Sequence, residues 1–563
     1  MKKIGIIITS LLLMMIWSCN EDEWLKEEPL SFYTTENSYT TTVQFRQALN
    51  FLYDYLREMH WVNGDQTVVM YFGDLAYGGT DYPDQKFNNL DAFLTPTTYV
   101  SETYWDRAYI SISNANTILN RIELTNQVSD DDKEIIKGEA LFFRALWYNF
   151  LANLYGGVPI TLEEESSPRR DYEKATRQSV YEQARSDLEE AIGLLPDIDD
   201  VSDGMVSLQA AQHLLTEVYI SLENYTAAIN TASAVINHPS MGLMTSRFGT
   251  RAEEPGDPYW DLFQYGNQNR ESGNTESIMV FQYEYKNSGS DYSLDHPRFL
   301  LPFYWNLNVE AADGGEVLGF TDFTENKGGR GIGVMHPTDY FLYDIWGEDG
   351  TEDYRNSPYM IARDFKIDNP EAAGFGEWII ADGWLQERFE LRHFYPFILK
   401  FSRTSNLPDD AYAKNTDGSI KTTALGEKVL AYSWGSLSAN SSLKDEYFYR
   451  LAETYLLRAE AYLKNDQPDM ALNDINALRD RANATPAQLS EIDIDYILDE
   501  RMRELYFERF RLETLCRMGK LVERARDHSP IGYNVGDHQN LFPIPYSAIE
   551  TNISVEIEQN PGY

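Results

Sequence analysis

The stretch YRLAETYLLRAEAYLKNDQPDMALNDINALRDRA, residues 449–482, decides the fold class of this chain. Its first half repeats apolar or small residues every three or four positions, the spacing that forms one face of a helix: Leu451, Tyr455, Ala459 and Tyr462. A second helical stripe follows the polar residues 465–467, and Pro468 suits its first turn, where a backbone N–H has no partner to lose. Two short helices joined in this way are typical of a tetratricopeptide hairpin.

A second copy of this hairpin lies upstream, in residues 209–238, QAAQHLLTEVYISLENYTAAINTASAVINH. In both copies a tyrosine near the end of the first helix precedes, by nine residues, a small alanine on the packing face of the second helix. The pairs are Tyr219 with Ala228 and Tyr462 with Ala471. Two matched hairpins so far apart predict a helical repeat protein with a large insertion between them.

The next segment, Asp499 to Lys520, alternates arginine with glutamate, and we expect it to form one helix. Three pairs stand at helical contact spacing: Asp499–Arg503, Glu508–Arg511 and Glu513–Arg517. These pairs favour a structural helix with ion pairs along its surface over a site that binds anions, because each arginine has a carboxylate within reach. Cys516 falls on the apolar stripe of the same helix and is predicted to be a buried core thiol.

Four segments together resemble the SusD/RagB family of nutrient-binding outer-membrane lipoproteins. They are GEALFFRALWYNFLANLYGGVPI at residues 138–160, the hairpin 449–482, the arginine-rich helix, and LFPIPYSAIETNISVEIEQNPGY at residues 541–563. The chain departs from the usual family residues at Arg509, Leu512, Thr514 and Met518. These four positions fall in a structural helix, so they leave the resemblance intact.

The hairpins and the resemblance predict a mainly α fold: a tetratricopeptide-like helical repeat scaffold with a large irregular, loop-rich insertion lobe containing short β-strands. We expect a signal peptide at 1–18, a lipidated tether at 19–40 and an N-terminal repeat part at 41–238. The insertion is predicted at 239–443, where helical periodicity fades and strand patterns occur at 277–285 and 397–402. Residues 444–563 form the C-terminal repeat part and tail. The resemblance also implies that residues 336–340 and 353–355 fix the insertion to the repeats.

The first residues have the pattern of a lipoprotein signal. Lys2 and Lys3 precede an apolar run, Ile4 to Trp17, that is too short for a stable membrane span and ends at Ser18-Cys19. We therefore predict lipidation of Cys19, the alternative being an ordinary secretory peptide with an incidental cysteine. The acidic residues 20–23 resemble a surface-export signal, which implies a lipid-anchored protein of the outer membrane that faces outside.

The overall composition disfavours one class of partner and points to another. The formal net charge of -42 disfavours nucleic acid, because phosphate would be repelled. The chain also carries 38 Tyr, 27 Phe and 11 Trp, so many rings must reach the surface. Sugar rings present apolar C–H faces that stack on such side chains, while polar groups bind their hydroxyls.

The resemblance implies a glycan site between an early loop, residues 74–93, and part of the insertion, residues 295–330. The candidate glycan-binding residues are Asp74, Tyr77, Tyr82, Asn88, Tyr304, Trp305 and Trp378. Each of them could instead be a core or loop-packing residue. The triplet Phe303-Tyr304-Trp305 in a strand could not hide all three rings on one side.

The sequence offers no strong catalytic, metal or cofactor motif. The eight histidines are scattered without an HExxH pattern, and the two cysteines support no metal cluster. We therefore expect no enzyme activity, no cofactor and no metal. The resemblance implies a surface protein that captures oligosaccharide or polysaccharide and delivers it to a SusC-like TonB-dependent transporter. A surface glycoside hydrolase and a repeat scaffold without a ligand remain the alternatives.

Overall fold

A computed structural model gives the structure of the chain. It describes residues 38–61, 69–78, 88–165, 167–284, 296–380, 392–402, 407–432, 442 and 444–563. The predicted signal peptide, the predicted lipidation site Cys19, most of the predicted tether and the candidate Tyr82 lie outside the described residues.

The N-terminal part is helical, and its long helices pack side by side. The helices are α1 (Thr42–Trp61), α2 (Leu90–Phe93), α3 (Tyr99–Ile122), α4 (Asp130–Tyr155), α5 (Arg177–Ala191), α6 (Leu208–Ser221) and α7 (Tyr225–Ile236). Helix α4 packs between α3 and α5 and is almost entirely buried from Ile136 to its end. Gly156 ends it with φ of +74°, a conformation that costs glycine little, and donates its N–H to the carbonyl of Ala152.

The insertion and the C-terminal part contain the remaining helices. They are α8 (Pro258–Leu262), α9 (His296–Leu300), α10 (Asp339–Leu342), α11 (Leu451–Lys464), α12 (Pro468–Arg481), α13 (Ile494–Leu505), α14 (Arg511–Met518), α15 (Leu521–His528) and α16 (Tyr546–Thr551). Both predicted hairpins are present, as α6–α7 and α11–α12, and α7 packs on α11. Ala228 and Ala471 are fully buried, which confirms their place on the packing faces.

Among the described residues, short strands form five two-stranded antiparallel sheets, two of which join distant parts of the chain. The strands are β1 (Ala76–Gly78), β2 (Ser277–Phe281), β3 (Asn308–Glu310), β4 (Glu316–Leu318), β5 (Met335–Pro337), β6 (Ile361–Ala362), β7 (Asp364–Lys366), β8 (Trp378–Ile380), β9 (Phe397–Ile398) and β10 (Glu446–Arg450). The pairing of β1 with β5 joins the early loop to the insertion. The predicted strands at 277 and 397 begin where expected but end earlier. The predicted fold class is confirmed.

The arginine-rich segment is not one helix. Helices α13 and α14 are separated by residues 506–510, and Phe507 adopts a φ of +57° in this break. The three ion pairs predicted within this segment are also wrong. Its arginines bind carboxylates on other elements or on adjacent turns: Arg501 with Glu453, Arg503 with Glu500, Arg511 with Asp74 and Arg517 with Glu460. Most of these side chains are buried, so their partners come from neighbouring elements, and only the Arg503–Glu500 pair lies within one helix.

A buried ionic network joins the insertion to the repeats. Arg355, from the insertion, donates to Glu500 at 2.7 Å and to Glu504 at 3.3 Å, both on α13. Arg450 at the end of β10 also donates to Glu504, at 2.5 Å, and Arg481 at the end of α12 binds the same carboxylate. All five of these side chains lie out of contact with solvent or nearly so. A buried charge is tolerated only when partners compensate for its lost hydration.

Residues 336–340 and 353–355, which the family resemblance implied would fix the insertion to the repeats, take part in this junction. The hydroxyl of Tyr340 donates to Asp499 at 2.7 Å, and the backbone N–H of Tyr354 donates to the carbonyl of Ala482 at 2.9 Å. Asp353 holds the Arg355 guanidinium through two bonds of 2.6 and 2.9 Å, which orients it toward α13. The insertion is therefore fixed to the C-terminal hairpin region by side chains and backbone together.

Replacing Arg355 with methionine should lower the free energy of unfolding by about 3–5 kcal/mol, because Glu500 and Glu504 would keep buried charge without a full set of partners. Urea denaturation monitored by circular dichroism measures this loss. The matched control is Arg526→Met, which breaks an exposed pair with Asp537 and should cost much less. Equal losses in the two variants would contradict a structural role for the network.

A second buried feature is a pair of carboxyl groups inside the helical scaffold. Glu217 on α6 and Glu513 on α14 both accept hydrogen bonds from the amide of Asn153, each at 3.1 Å. Burial, reinforced by the charge of Glu217, raises the pKa of Glu513 to about 7. The folded protein therefore holds a proton on this pair at a pH where the unfolded chain has released it.

Because the folded pKa of Glu513 lies above the unfolded value, this stabilisation is complete below about pH 4.5 and is lost as the pH rises to about 7. Glu513→Gln should remove this dependence, so its stability relative to the wild type should improve by about 2–3 kcal/mol between pH 5 and pH 8. Denaturation at a series of pH values checks it. Glu556→Gln, at an exposed position, should follow the wild-type profile.

Candidate functional site

Tyr304–Asn306 forms a 3₁₀ turn directly after Phe303, so the triplet 303–305 is not the strand that the sequence suggested. Tyr304 points inward, is fully buried and donates its hydroxyl to the carbonyl of Gly329 at 2.6 Å. Burial raises the pKa of this hydroxyl well above its usual value. Trp305 is half-buried, and its indole N–H donates to the carbonyl of Gly331 at 2.7 Å. The turn therefore separates a core tyrosine from a tryptophan that reaches the surface.

Trp305 belongs to a continuous row of four aromatic rings, which we call the Trp305 cluster: Phe303, Trp305, Phe323 and Tyr432. The ring centroids are 4.3 Å apart for Phe303 and Trp305, 5.8 Å for Trp305 and Phe323, and 5.1 Å for Phe323 and Tyr432. Each contact is edge-to-face, so neighbouring rings present differently oriented surfaces. Tyr432 is 39% exposed and the other three are half-buried.

Polar and cationic groups lie directly beside these rings. The Arg330 guanidinium lies 4.9 Å from the ring of Trp305 and 5.3 Å from that of Tyr432. Arg392 lies 4.5 Å from the ring of Phe303, and the exposed amide of Asn306 contacts His393 at 3.3 Å. Partial burial lowers the pKa of Arg330. The cluster thus combines flat apolar surface with groups that donate hydrogen bonds, the combination that a sugar ring requires.

Two early-loop candidates lie at strand β1: Tyr77 belongs to it and Asn88 binds its last residue, Gly78. Tyr77 stands opposite His336 in the register, with ring centroids 4.9 Å apart, and is almost buried. Asn88 exchanges two hydrogen bonds of 2.8 Å with the backbone of Gly78. These bonds use the amide to hold the loop, so the structure gives Asn88 a positioning role there.

Asp74 is fully buried in an ion-pair cluster. Its carboxylate accepts two bonds from Arg511, at 2.6 and 2.8 Å, and a third from Arg524 at 2.8 Å. These guanidinium groups hold the pKa of Asp74 well below its usual range despite the burial. The carboxylate has neither exposed surface nor a free position for a ligand hydroxyl. Asp74 and Tyr304 are both fully buried, so neither offers exposed surface to a glycan in this structure, and a role for them in binding stays a prediction.

Trp378 lies in a strand that contains no residue of the Trp305 cluster. It belongs to β8, whose partner strand β7 places Lys366 5.2 Å from the indole ring. The side chain is 60% exposed. Such an exposed ring can offer a stacking surface, and its role in binding stays a prediction.

Sequence reasoning missed one ring of the Trp305 cluster, Tyr432, and two residues that lie beside it, Arg392 and His393. Tyr432, Arg392 and His393 come from segments far along the chain. Backbone bonds, including that from Leu430 to the carbonyl of Phe323, bring residue 432 next to residue 323. No local pattern marks these positions, because their neighbours in space are distant in sequence.

Within the described residues, Asp197, Asp199 and His238 form a group whose ligand atoms lie within 4.8 Å of one another. The histidine Nδ1 accepts the N–H of Ser240 at 3.3 Å, so the proton resides on Nε2, which faces Asp197 at 3.3 Å. A metal would need that nitrogen free. The group is therefore better described as a hydrogen-bonded surface cluster.

Comparison with models of protein families shows to which family the chain belongs. Residues 264–563 match the model described as the SusD family, and residues 23–220 match a SusD-like model described as starch-binding associating with outer membrane. The first match alone covers more than half of the chain. The protein belongs to the SusD/RagB family.

Individual relatives match from half of the chain to nearly all of it. A SusD-like protein of Formosa agariphila is 23% identical, over 98% of this chain and 97% of the relative. Another SusD-like protein, from Bacteroides ovatus, is 25% identical over half of each chain. A laminarin binding SusD-like protein of known structure has a TM-score of 0.66 at 23% identity, covering 93% of this chain and all of that one. Surface glycan-binding protein A from Bacteroides thetaiotaomicron gives 0.63 at 18% identity, with the same coverage.

These structural similarities show a shared fold. In the part of the chain that the structure describes, no helix has both the length and the apolar character to cross a membrane.

Proposed function

We propose that this protein is a non-catalytic glycan-binding protein of the cell surface and that the Trp305 cluster is its ligand platform. The observation that carries the proposal is a row of four rings, partly open to solvent and flanked by arginine and asparagine side chains. The names of the relatives support it, since one is a laminarin binding protein and others are surface glycan-binding proteins. Tyr77 is nearly buried and offers little surface. Tyr82 and Trp378 remain candidates for additional contacts with the glycan.

The cluster suits a neutral or weakly charged oligosaccharide. The edge-to-face arrangement makes the platform angular, so successive sugar rings of a curved chain could stack on Trp305 and Tyr432 in turn. Arg330 and Asn306 would donate hydrogen bonds to hydroxyl oxygens. Binding of this kind selects ring shape first and linkage second, through the hydroxyl contacts.

Family membership supports two further parts of the proposal. Cys19 would carry the lipid that holds the protein on the outer membrane, facing outside, as the signal pattern predicts. A SusC-like TonB-dependent transporter would be the partner that receives the glycan, with this protein acting as a lid that opens to capture ligand and closes to deliver it.

Trp305→Ala should weaken glycan binding by about 1–3 kcal/mol, or roughly 5–150-fold, because it removes the central ring of the platform. Isothermal titration against the oligosaccharide selected from a polysaccharide panel measures the effect. The same panel tests for released reducing ends, which would favour the glycoside hydrolase alternative. Tyr546→Ala, which removes an exposed ring on α16, is the matched control and should bind normally.

The stability of these variants separates a binding residue from a core residue. Tyr304→Ala would leave a cavity in the core and should cost about 3–5 kcal/mol of stability. The half-buried Trp305 should cost less when truncated. Retained glycan affinity in Trp305→Ala together with a collapsed melting temperature would remove Trp305 from the site.

Cys19→Ala should release the protein from the outer membrane or leave it with its signal peptide uncleaved, because lipid attachment requires the thiol. Fractionation of cells separates these states from the membrane-bound wild type.

Mild-detergent solubilisation and purification through the wild-type protein should then recover a TonB-dependent barrel. Unchanged sedimentation of the variant would refute the lipid anchor, and wild-type protein without a barrel would refute the partner.

A further inference from the structure

A small cavity of about 20 Å³ lies where helices α13 and α14 meet the early loop. Arg501 on α13, Arg509 in the break between the helices and Arg511 on α14 line it, together with Thr514 and Leu75. Among the described residues, no carboxylate and no member of the Trp305 cluster lines this cavity. One water molecule needs about 10–15 Å³ of such space, so the cavity admits a single occupant of about that size and excludes a sugar ring.

Two buried nitrogens of the lining arginines have no acceptor among the described residues: Nη1 of Arg501 and Nη1 of Arg509. Arg501 is 3% exposed, and its Nη2 donates to Glu453 at 2.8 Å, which fixes the orientation of the guanidinium. Because Glu453 does not line the cavity, Nη1 is the terminal nitrogen left for an occupant. A buried N–H of a charged group is costly without an acceptor, so both nitrogens indicate an occupant that accepts hydrogen bonds.

Arg509 is held in place by aromatic rings rather than by a close carboxylate. Its guanidinium lies 5.0 Å from the ring of Phe448 and 5.2 Å from that of Tyr449. Carboxylate oxygens of Glu453 and Glu513 lie 3.8 and 3.9 Å from its nitrogens, beyond hydrogen-bonding distance. The group is therefore positioned by its surroundings and keeps donors for a ligand.

The charges around the cavity favour an anion over a water molecule. Arg501 and Arg509 face the same oxygen of Glu453, Oε1. Although burial opposes them, the charges of Arg509, Arg501 and His213 hold the pKa of Glu453 well below its usual range. Burial raises the pKa of Glu513 to about 7, so this residue offers Arg509 only part of a negative charge near neutral pH. One full negative charge thus serves two guanidinium groups.

The third lining arginine also shares its carboxylate. Asp74 binds Arg511 at 2.6 Å and Arg524 at 2.8 Å, and Arg524 also binds Asp499. The three lining arginines therefore face two fully ionised carboxylates, one of which serves a fourth arginine as well. A negative occupant would reduce the repulsion among these guanidinium groups, whereas a neutral water molecule would not.

We propose that the cavity binds one small monovalent anion, a halide such as chloride. Nη1 of Arg501 and Nη1 of Arg509 would donate hydrogen bonds to it, with Thr514 in the same lining. A monatomic ion accepts such bonds from any direction, whereas sulfate and phosphate exceed the size of the cavity. The ion would join α13, α14 and the early loop, and its binding is independent of glycan binding at the Trp305 cluster.

Bromide is the direct probe, because it can replace chloride and scatters X-rays anomalously. Crystals of the protein soaked in sodium bromide should show an anomalous difference peak between Nη1 of Arg501 and Nη1 of Arg509. An ordered water molecule at that position, with bromide found only elsewhere, would overturn the proposal.

The melting temperature provides the measurement in solution. Chloride should replace gluconate, an anion too large for the cavity, at a constant ionic strength of about 0.1 M. The melting temperature should rise with chloride and then level off, because a ligand that binds only the folded state stabilises it by mass action. Identical melting temperatures in the two salts would also overturn the proposal.

Variants assign the chloride response to the cavity. Arg509→Gln removes one cation and one donor, and should raise the chloride concentration at half of the response by at least about tenfold. The matched control is Arg185→Gln on α5, which removes the same charge. Arg185 has a similarly long ion pair, 3.7 Å to Glu189, but lies outside the cavity lining, so this variant should respond as the wild type does.

A second cavity variant decides the matter where Arg509→Gln fails to fold. Thr514→Leu keeps every charge and fills part of the cavity, so it should lose the chloride response. A folded Arg509→Gln, or a Thr514→Leu, that responds to chloride as the wild type does would overturn the assignment.

Discussion

One carboxylate, that of Glu504, holds three arginines from three different parts of the chain. Arg355 comes from the insertion, Arg450 from the strand that leaves it, and Arg481 from the second helix of the C-terminal hairpin. Each of these charges is buried, so none is tolerated unless the others are in place. The interaction therefore specifies one arrangement of insertion and repeats, because any displacement would leave charge in the interior without a partner.

The Trp305 cluster borders a second, smaller core within the insertion. Tyr304, Phe320, Phe394 and Phe397 pack together there, apart from the main core of the helices. Trp305 and Phe323 lie at the margin of this small core, partly buried against it. Packing thus fixes the positions of these two rings while each keeps part of its surface exposed, so a ligand would meet surface that is already ordered.

The elements and buried positions that depend on local periodicity could be predicted from the sequence. The two hairpins and the buried thiol of Cys516 each follow from residues within a few turns of one another, and the structure has both. The ion pairs of the arginine-rich segment were wrong because the pairing rule considers one helix surface, whereas these side chains are buried among other elements. Neighbours such as Tyr304 and Trp305 look equivalent in sequence, and only the 3₁₀ turn assigns one to the core and the other to the surface.

The distribution of paired and unpaired charge separates structure from interaction in this acidic protein. Carboxylates with arginine partners, such as Asp74 and Glu504, are buried and serve the fold. Carboxylates without partners, such as Glu102 and Glu163, are exposed to water on the helical scaffold. The Trp305 cluster shows the opposite balance, with arginines beside its rings. These arginines would repel a cationic ligand, whereas a neutral one would be selected by ring contacts and hydrogen bonds rather than by charge.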